Sequence, residues 1–448
     1  MRLMESLATT GPLANIFSDE SVLQAMLDFE AALARVQARL KIIPEDAAKV
    51  ISSCAETTGF DMSRLAQETL RAGTPAIPLV RALTEKASAK DSAAAGYVHW
   101  GATSQDVVDT ALVLLLKRAQ GIIEADLQRL EAALVNLAGQ HKDSVMLGRT
   151  LMQPAPPITF GLKAAGWLAS IHRSRNRLHQ SFREALVVQF GGASGTAAAL
   201  GEHGLAIGQA LAGELKLGYP EAPWHAHRDR LAALVCACAV LTASLGKMAR
   251  DISLLMQNEV AEVSEAAAAG RGGSSTMPHK NNPIGCAVTL AQAERVPGLA
   301  ASFLSAMIQE HERGVGGWQA EWPIIAAVIQ ASGLAAASMA EVAEGLKVDV
   351  SHMRANIEAT RGMVFAEHAM MLLAQKIGRE RAKKILEDAV CKSTQQGCHL
   401  KEVLAEMPEI KKHLDAAVLD QLDAPENYLG VAEEFRRRLL DSVKDEEE

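Results

Sequence analysis

The stretch LAALVCACAVLTASLGKMARDISLL, Leu231 to Leu255, decides the fold. Its apolar residues Leu231, Leu234, Cys238, Leu241, Leu245, Met248, Ile252 and Leu255 recur at alternating spacings of three and four. That is a heptad seam, the pattern by which one long helix packs on another. Working outward, a second seam runs through Leu116, Ile123, Leu127, Leu130, Leu134 and Leu137, and no proline interrupts the chain between Pro78 and Pro154. A third stretch, from about Trp322 to Leu346, carries Ile324, Val328, Ala331, Met339, Val342 and Leu346 in looser helical register. No alternating strand pattern of useful length and no solenoid-period repeat accompanies them. The seams predict long helices that pack on one another, in an oligomer that buries the remaining seams.

Composition narrows the function classes. The chain has 448 residues, 49% of them apolar and only 4% aromatic, so a large core must be filled with Ala, Leu, Val, Ile and Met. A net charge of −8 without any Lys/Arg-rich block argues against a nucleic-acid partner. Any anion site must therefore be local. The six cysteines, Cys54, Cys236, Cys238, Cys286, Cys391 and Cys398, form no CxxC pair, which reads as reduced thiols in a cytoplasmic protein. The N-terminus meets Glu5, Asp19 and Glu20 without a sustained apolar core, so no secretory signal is expected. The uncharged run from Trp322 to Ala340 is diluted by Pro323, Gln330, Ser332, Gly333 and Ser338 and reads as a bundle helix rather than a membrane span.

Chemistry concentrates in three polar segments. Gly272-Gly273-Ser274-Ser275-Thr276-Met277-Pro278-His279-Lys280-Asn281-Asn282-Pro283 places glycines, hydroxyls, amides and one lysine in a turn-rich segment between helical runs. Glycine permits close backbone approach, Ser and Asn donate hydrogen bonds, and Lys280 supplies charge for a carboxylate or oxyanion. It is not a nucleotide P-loop, since the lysine does not follow a glycine and no strand pattern precedes it. In His99-Trp100-Gly101-Ala102-Thr103-Ser104-Gln105-Asp106, Thr103, Ser104 and Asp106 are good N-caps for the long helix that follows. The same helix start could hold an anion. In Gly148-Arg149-Thr150-Leu151-Met152-Gln153-Pro154, Arg149, Thr150 and Gln153 read as a polar loop before a proline-marked helix start.

Together, TSQD, GRTLMQ and GSSTMPHKNNP, in that order along essentially the whole chain, resemble the three active-site regions of the fumarase/aspartase superfamily, whose members make or break a bond β to a carboxylate. The resemblance implies an all-α, three-domain subunit with a central long-helix bundle, a homotetramer, and active sites shared between subunits. It assigns Ser274 as the catalytic acid/base, with Ser275 as the neighbouring alternative. Lys280 and Asn282 match carboxylate ligands, as do Thr103, Ser104, Gln105 and Thr150. His99 matches the histidine ahead of the first region in adenylosuccinate lyases, and Arg149, Gln153, Arg228 and Arg313 complete the candidate substrate-binding set. No metal or other cofactor is implied, and the expected partner is a small polycarboxylate.

One departure points to the reaction. Superfamily lyases that release an amine or nucleotide carry a histidine after the threonine of the second region, where it can protonate the leaving group; here that position is Leu151. A leaving nitrogen needs a proton, whereas a carboxylate, which ordinarily ionises near pH ~4, leaves without one. The stretches YVHWGATSQD, QFGGASGT and IQEHERGVGGWQAEW are similar to bacterial enzymes that cyclise 3-carboxy-cis,cis-muconate to a lactone, and that activity is the expectation. The alternative is β-elimination from a succinyl-type substrate, as in adenylosuccinate lyases, which share the segments His311-Glu312-Arg313 and Arg228-Asp229-Arg230.

Punctuation suggests three domains: 1–101, 102–348 and 349–448. Residues Ser21 to Leu40 and Ala47 to Ser88 are helical in the first, and the tail from Lys444 to Glu448 is a solvated charge run. His225 and His227 have a spacing that a metal could use, but the neighbouring acids do not support it. Arg228 and Arg230 read either as helix-opening surface residues or as substrate ligands. Met256 reads as core filler.

Overall fold

The computed structural model describes residues 3–266, 272–273, 277 and 280–444. Ser274 and Ser275 lie outside the described residues. The chain is helical, as the seams predict, with long helices at Ser104–Gln140, Phe160–Ala185, Asp229–Leu255, Ile284–Ala306 and Gly317–Gly345. The seam of the Leu231 stretch is buried along its whole length, from Leu231 at 1% exposure to Leu255 at 4%. Leu116, Ile123, Leu127, Leu130, Leu134 and Leu137 are buried likewise. Removing one such side chain, for example by Leu241→Ala, costs about 2–5 kcal/mol through lost transfer energy and the cavity left behind. The third stretch begins earlier than its periodicity suggests, at Gly317, and carries Pro323 inside the helix at the expense of one backbone hydrogen bond. The helices Asp229–Leu255 and Gly317–Gly345 are long and apolar enough to cross a membrane, yet more than half of each apolar window is buried within the protein, as in a bundle core.

Caps set the helix boundaries. The Ser18 hydroxyl accepts from Ser21 N at 3.2 Å to start Asp19–Arg39, with Asp19 and Glu20 in the favourable first turn. Asp349 caps Val350–Ala359 by accepting from His352 N at 2.8 Å. By chain contacts the fold divides into two compact units. The first comprises Met1–Gln128, Arg173–Gly246 and Val288–Ser338; the second comprises Arg129–His172, Lys247–Ala287 and Met339–Glu448. In the first, Asp19–Arg39 is buried on nearly every face, with Leu27, Phe29, Leu33 and Val36 in one cluster with Leu79, Leu83, Val107 and Ala111.

The second unit contains the main departure from the sequence reading. Val145–Thr150 and Gln153–Thr159 form an antiparallel hairpin, so the GRTLMQPAP segment is not a loop running into a helix start. Val145 and Leu147 are buried in a cluster with Ile357, Val364 and Phe365, and this burial holds a strand that shows no alternation. Gly148 sits at the register shift, where a side chain would meet Pro156 O at 2.5 Å. Pro154, Pro156 and Pro157 are compatible with a two-stranded ribbon because a strand edge does not require their missing N–H groups. The helix starts only at Phe160.

Candidate active site

In the first unit the start of helix Ser104–Gln140 is the point of assembly. Asp106 is fully buried and accepts four hydrogen bonds: from Thr103 N at 3.1 Å, Gly191 N at 3.1 Å, Gly192 N at 2.9 Å and His225 Nε2 at 2.7 Å. One carboxylate thus fixes its own helix start, the glycine loop at 191–192 and the segment before the next long helix. Gly101 and Gly192 are both in the left-handed region, with φ of 73° and 69°, and a side chain on Gly101 would meet Leu200 at 2.5 Å.

One turn further, Asp109 is equally buried. It accepts from Gln105 Nε2 at 3.1 Å, Trp318 Nε1 at 2.9 Å and both terminal nitrogens of Arg228 at 2.7 and 3.1 Å. Arg228 also donates to Glu321 from Nε at 2.9 Å and Nη2 at 2.8 Å, and its guanidinium lies over the Trp224 ring at 4.7 Å. Gln309 Nε2 caps Glu321 at 2.7 Å. Burial pushes the Glu321 carboxyl up to about 7; Arg228 opposes this, and the second carboxylate, Asp109, adds to it. Asp109 and Glu321 thus share one arginine.

Arg313 is brought to this corner from the segment before helix Gly317–Gly345. Its Nη2 donates to Ala193 O at 2.8 Å and Gly192 O at 3.3 Å, and its Nη1 lies 3.5 Å from the Thr103 hydroxyl. Thr103, Ser104 and Arg313 therefore share one partly exposed corner. His99 precedes it with φ of 60°, a conformation that costs a non-glycine residue about 1–2 kcal/mol, and its Nδ1 lies 2.6 Å from Glu30 Oε1. Burial lowers the His99 pKa, but Glu30, by charge and hydrogen bond, and then Asp106 outweigh it and leave the imidazole above its ordinary value.

Two of the candidate ligands in this unit are enclosed by the protein. Gln105 and Arg228 are buried, at 0% and 1% exposure, and their donors are spent on Asp109, Glu321 and the His225 carbonyl. These bonds brace the corner. His225 is bound to Asp106, and His227 is exposed. Among the described residues no group of three His, Cys, Asp or Glu side chains is placed to hold a metal ion.

In the second unit Arg149 grips Glu262 with two bonds of 2.9 and 2.6 Å, and Asn356 Nδ2 donates to the same buried carboxylate at 2.8 Å. Its fork is occupied, which makes it an anchor for the hairpin. Thr150 and Gln153 pair across the hairpin end and are exposed. Between them Leu151 and Met152 have φ of 50° and 65°, the positive pair that a type I′ turn requires, and Leu151 is 97% exposed. Lys280 and Asn282 line a separate cavity of about 1090 Å³ with Met277, Ser264 and Lys347. Met256, read as core filler, is on its wall. The ends of the Gly/Ser segment are tied together: Asn282 donates to Gly272 O from its backbone N at 2.9 Å and from Nδ2 at 3.1 Å. Glu265 secures the following helix by accepting from Gly285 N and Cys286 N at 3.0 and 2.9 Å.

The sequence reading missed Glu30, Asp109, Glu262 and Glu321. The usable signal was an acid inside an otherwise apolar helical run, as in DFEAALARV or QDVVDTALVLLL, since such a group must find a buried partner.

Comparison with known proteins follows the same segments. The family model described as "Lyase" matches residues 5–298, and that described as "Adenylosuccinate lyase C-terminus" matches residues 362–439. The chain belongs to the fumarase/aspartase superfamily. Within the superfamily it is 45% identical to a 3-carboxy-cis,cis-muconate cycloisomerase of Bradyrhizobium diazoefficiens, over 99% of this chain and 98% of that one. The solved 3-carboxy-cis,cis-muconate lactonizing enzyme of Pseudomonas putida superimposes with a TM-score of 0.94 at 42% identity, covering 99% of each chain. A nitrosuccinate lyase of Streptomyces davaonensis is 42% identical over 94% of this chain and 90% of that one.

Proposed function

We infer that the chain is a 3-carboxy-cis,cis-muconate cycloisomerase, an intramolecular lyase of the superfamily acting in aromatic-compound catabolism. The observation that narrows the reaction is Leu151, an apolar residue at the exposed hairpin tip where superfamily members that expel an amine or nucleotide place a histidine. The 45% identity to a cycloisomerase over the full chain supports it.

In the forward reaction one substrate carboxylate adds to a double bond conjugated with another. The electrons move onto that second carboxylate as an aci form, and a proton is then delivered to carbon. We assign the proton to Ser274 or its neighbour Ser275, and the aci-carboxylate to Lys280, Asn282 and the Thr103/Ser104 corner. Lys280 favours the step because it meets more negative charge after addition than before. Arg313 and Thr150 are the remaining candidate ligands, while Arg149, Gln105 and Arg228 hold their segments in place. The chemistry is addition and proton transfer within one molecule, with no change of oxidation state, so the reading includes no cofactor. It also includes a cytoplasmic homotetramer with sites shared between subunits, and the domain division 1–101, 102–348 and 349–448.

A second reading is favoured by the nitrosuccinate lyase relative. Nitrite, like a carboxylate, leaves as an anion, so Leu151 is equally compatible with eliminating it from a succinyl-type substrate. Turnover of 3-carboxy-cis,cis-muconate in D₂O, followed by NMR, separates the two. The cycloisomerase forms a lactone carrying one solvent deuterium on carbon, whereas an enzyme that only eliminates leaves the muconate unchanged.

A further inference from the structure

We propose that Glu30 is a positioning residue that keeps His99 as an imidazolium, with its Nε2–H offered to a substrate carboxylate beside Thr103. The inference rests on the cycloisomerase reading and deepens it, since it supplies a fixed positive donor in the first unit of a chain whose second region lacks its histidine.

The geometry begins with an awkward carboxylate. Glu30 is in the middle of helix Asp19–Arg39 at 1% exposure, among Leu27, Phe29, Ala31 and Leu33. Its Oε1 is 2.6 Å from His99 Nδ1, and its Oε2 is buried without a partner. A buried carboxylate with one bare oxygen is tolerated when a cation faces it or when it takes up a proton. His99 is the group that faces it, held there by a left-handed backbone that a histidine adopts only at a cost. The neighbouring Gln37 Nε2 donates to Trp100 O at 2.8 Å and pins the turn that follows.

The two acidic groups around the ring act in the same direction. Glu30 faces it from one helix, and Asp106 acts from the start of the next, itself bound to His225. The positive group of the third element, Arg313, is held at Thr103 and the carbonyls of Gly192 and Ala193. Both acidic neighbours raise the His99 pKa, and they outweigh its burial. With Nδ1 committed to Glu30, the free donor is Nε2, which has no partner among the described residues and is not sealed from solvent. The side chain retains 18% exposure four residues before Thr103. A donor fixed in charge and direction before substrate arrives is the arrangement that stabilises a carboxylate gaining charge.

The test combines a titration and a pH profile on the full-length protein. The His99 imidazole is followed by NMR, assigned through its loss in His99→Gln, in the wild type and in Glu30→Gln. We expect the wild-type ring to titrate above about 6.5, and to fall by about one pH unit or more when the facing charge is removed. The alkaline limb of kcat/KM for 3-carboxy-cis,cis-muconate should move down by the same amount, giving about a tenfold loss at the wild-type midpoint plus one unit. Glu30→Asp, which keeps the charge, should restore part of that shift. A wild-type His99 that titrates at or below about 6.5 overturns the proposal, and this measurement does not depend on whether Glu30→Gln folds. An NMR shift with an unmoved kinetic limb overturns the functional half and leaves a structural ion pair. Wild-type protein that turns over no muconate refutes the underlying reading instead, and the titration still decides the ion pair.

Discussion

The corner at Thr103 and the hairpin tip at Leu151 carry two of the superfamily's three polar regions, and they are built in opposite ways. At the corner, the buried acids Asp106 and Asp109 gather segments from residues 103, 191, 225, 228 and 318 through hydrogen bonds of 2.7 to 3.1 Å, so its geometry is set by the chain itself. At the tip, one bidentate Arg149–Glu262 pair anchors the base, while Leu151 and Met152 stand exposed in a left-handed turn. The corner is preorganised by satisfied buried charge. The tip stores backbone strain and leaves apolar surface uncovered, which fits a segment whose contacts come from elsewhere in an oligomer.

The largest effect should come from breaking the corner. Arg228→Met leaves Asp109 and Glu321 buried without their cation, and removal of one member from such a network costs about 3–5 kcal/mol. Denaturant unfolding should show the loss. A change below about 1 kcal/mol would mean that the corner does not depend on its charge network. Next is the Gly/Ser segment: Ser274→Ala should lower kcat by about 10² or more with the oligomer intact, the usual scale for a positioned acid/base. Near-wild-type turnover would move the role to Ser275 or beyond.

A pH experiment sharpens the same contrast. Glu321 ionises near 4.5 when exposed and at about 7 in the fold, so the unfolded chain releases its proton first as pH rises. Its contribution to stability is therefore greatest below 4.5, declines between 4.5 and about 7, and is flat above. Glu321→Gln should flatten that decline, measured as Tm against pH; an unchanged slope would assign it to other groups. The smallest effect belongs to the tip. Replacing Leu151-Met152 by Asn-Gly suits the positive φ pair and should stabilise the isolated subunit by about 1 kcal/mol or less. If the tip meets substrate, kcat/KM should fall at the same time; improved stability with unchanged activity would make the tip a mere turn.

How much of this was legible in the sequence differs between the same two regions. The seam from Leu231 to Leu255 was readable because a fully buried heptad is a strictly local pattern, and the start of helix Ser104–Gln140 was readable from the polar run Thr103, Ser104 and Asp106, although Asp106 acts from inside the first turn, accepting from Thr103 N. The hairpin was not. Val145–Leu147 is a short buried run without alternation, three prolines follow it, and the turn is made by Leu and Met where Asn and Gly would have announced it. The partners of Arg228 were not readable either, because Asp109 and Glu321 are brought to it by packing from 119 and 93 residues away. The bonds of Gln105 to Asp109 and the His225 carbonyl were hidden for a related reason: polar residues near a motif look alike whether they face a cleft or brace it. Glu30 is the same problem in reverse, since it is 69 residues from His99 and is marked only by being an acid where the helix is otherwise apolar.

The central claim is that the group expelled or added in this active site requires no proton. The most direct measurement is a side-by-side ultraviolet assay of the wild-type protein with 3-carboxy-cis,cis-muconate, nitrosuccinate, adenylosuccinate and argininosuccinate. Rapid loss of the muconate absorbance through lactone formation is expected, with no fumarate from adenylosuccinate or argininosuccinate, whose amine-type leaving groups need a proton. Robust release of fumarate from adenylosuccinate or argininosuccinate, with Leu151 in place and the muconate untouched, would contradict the claim.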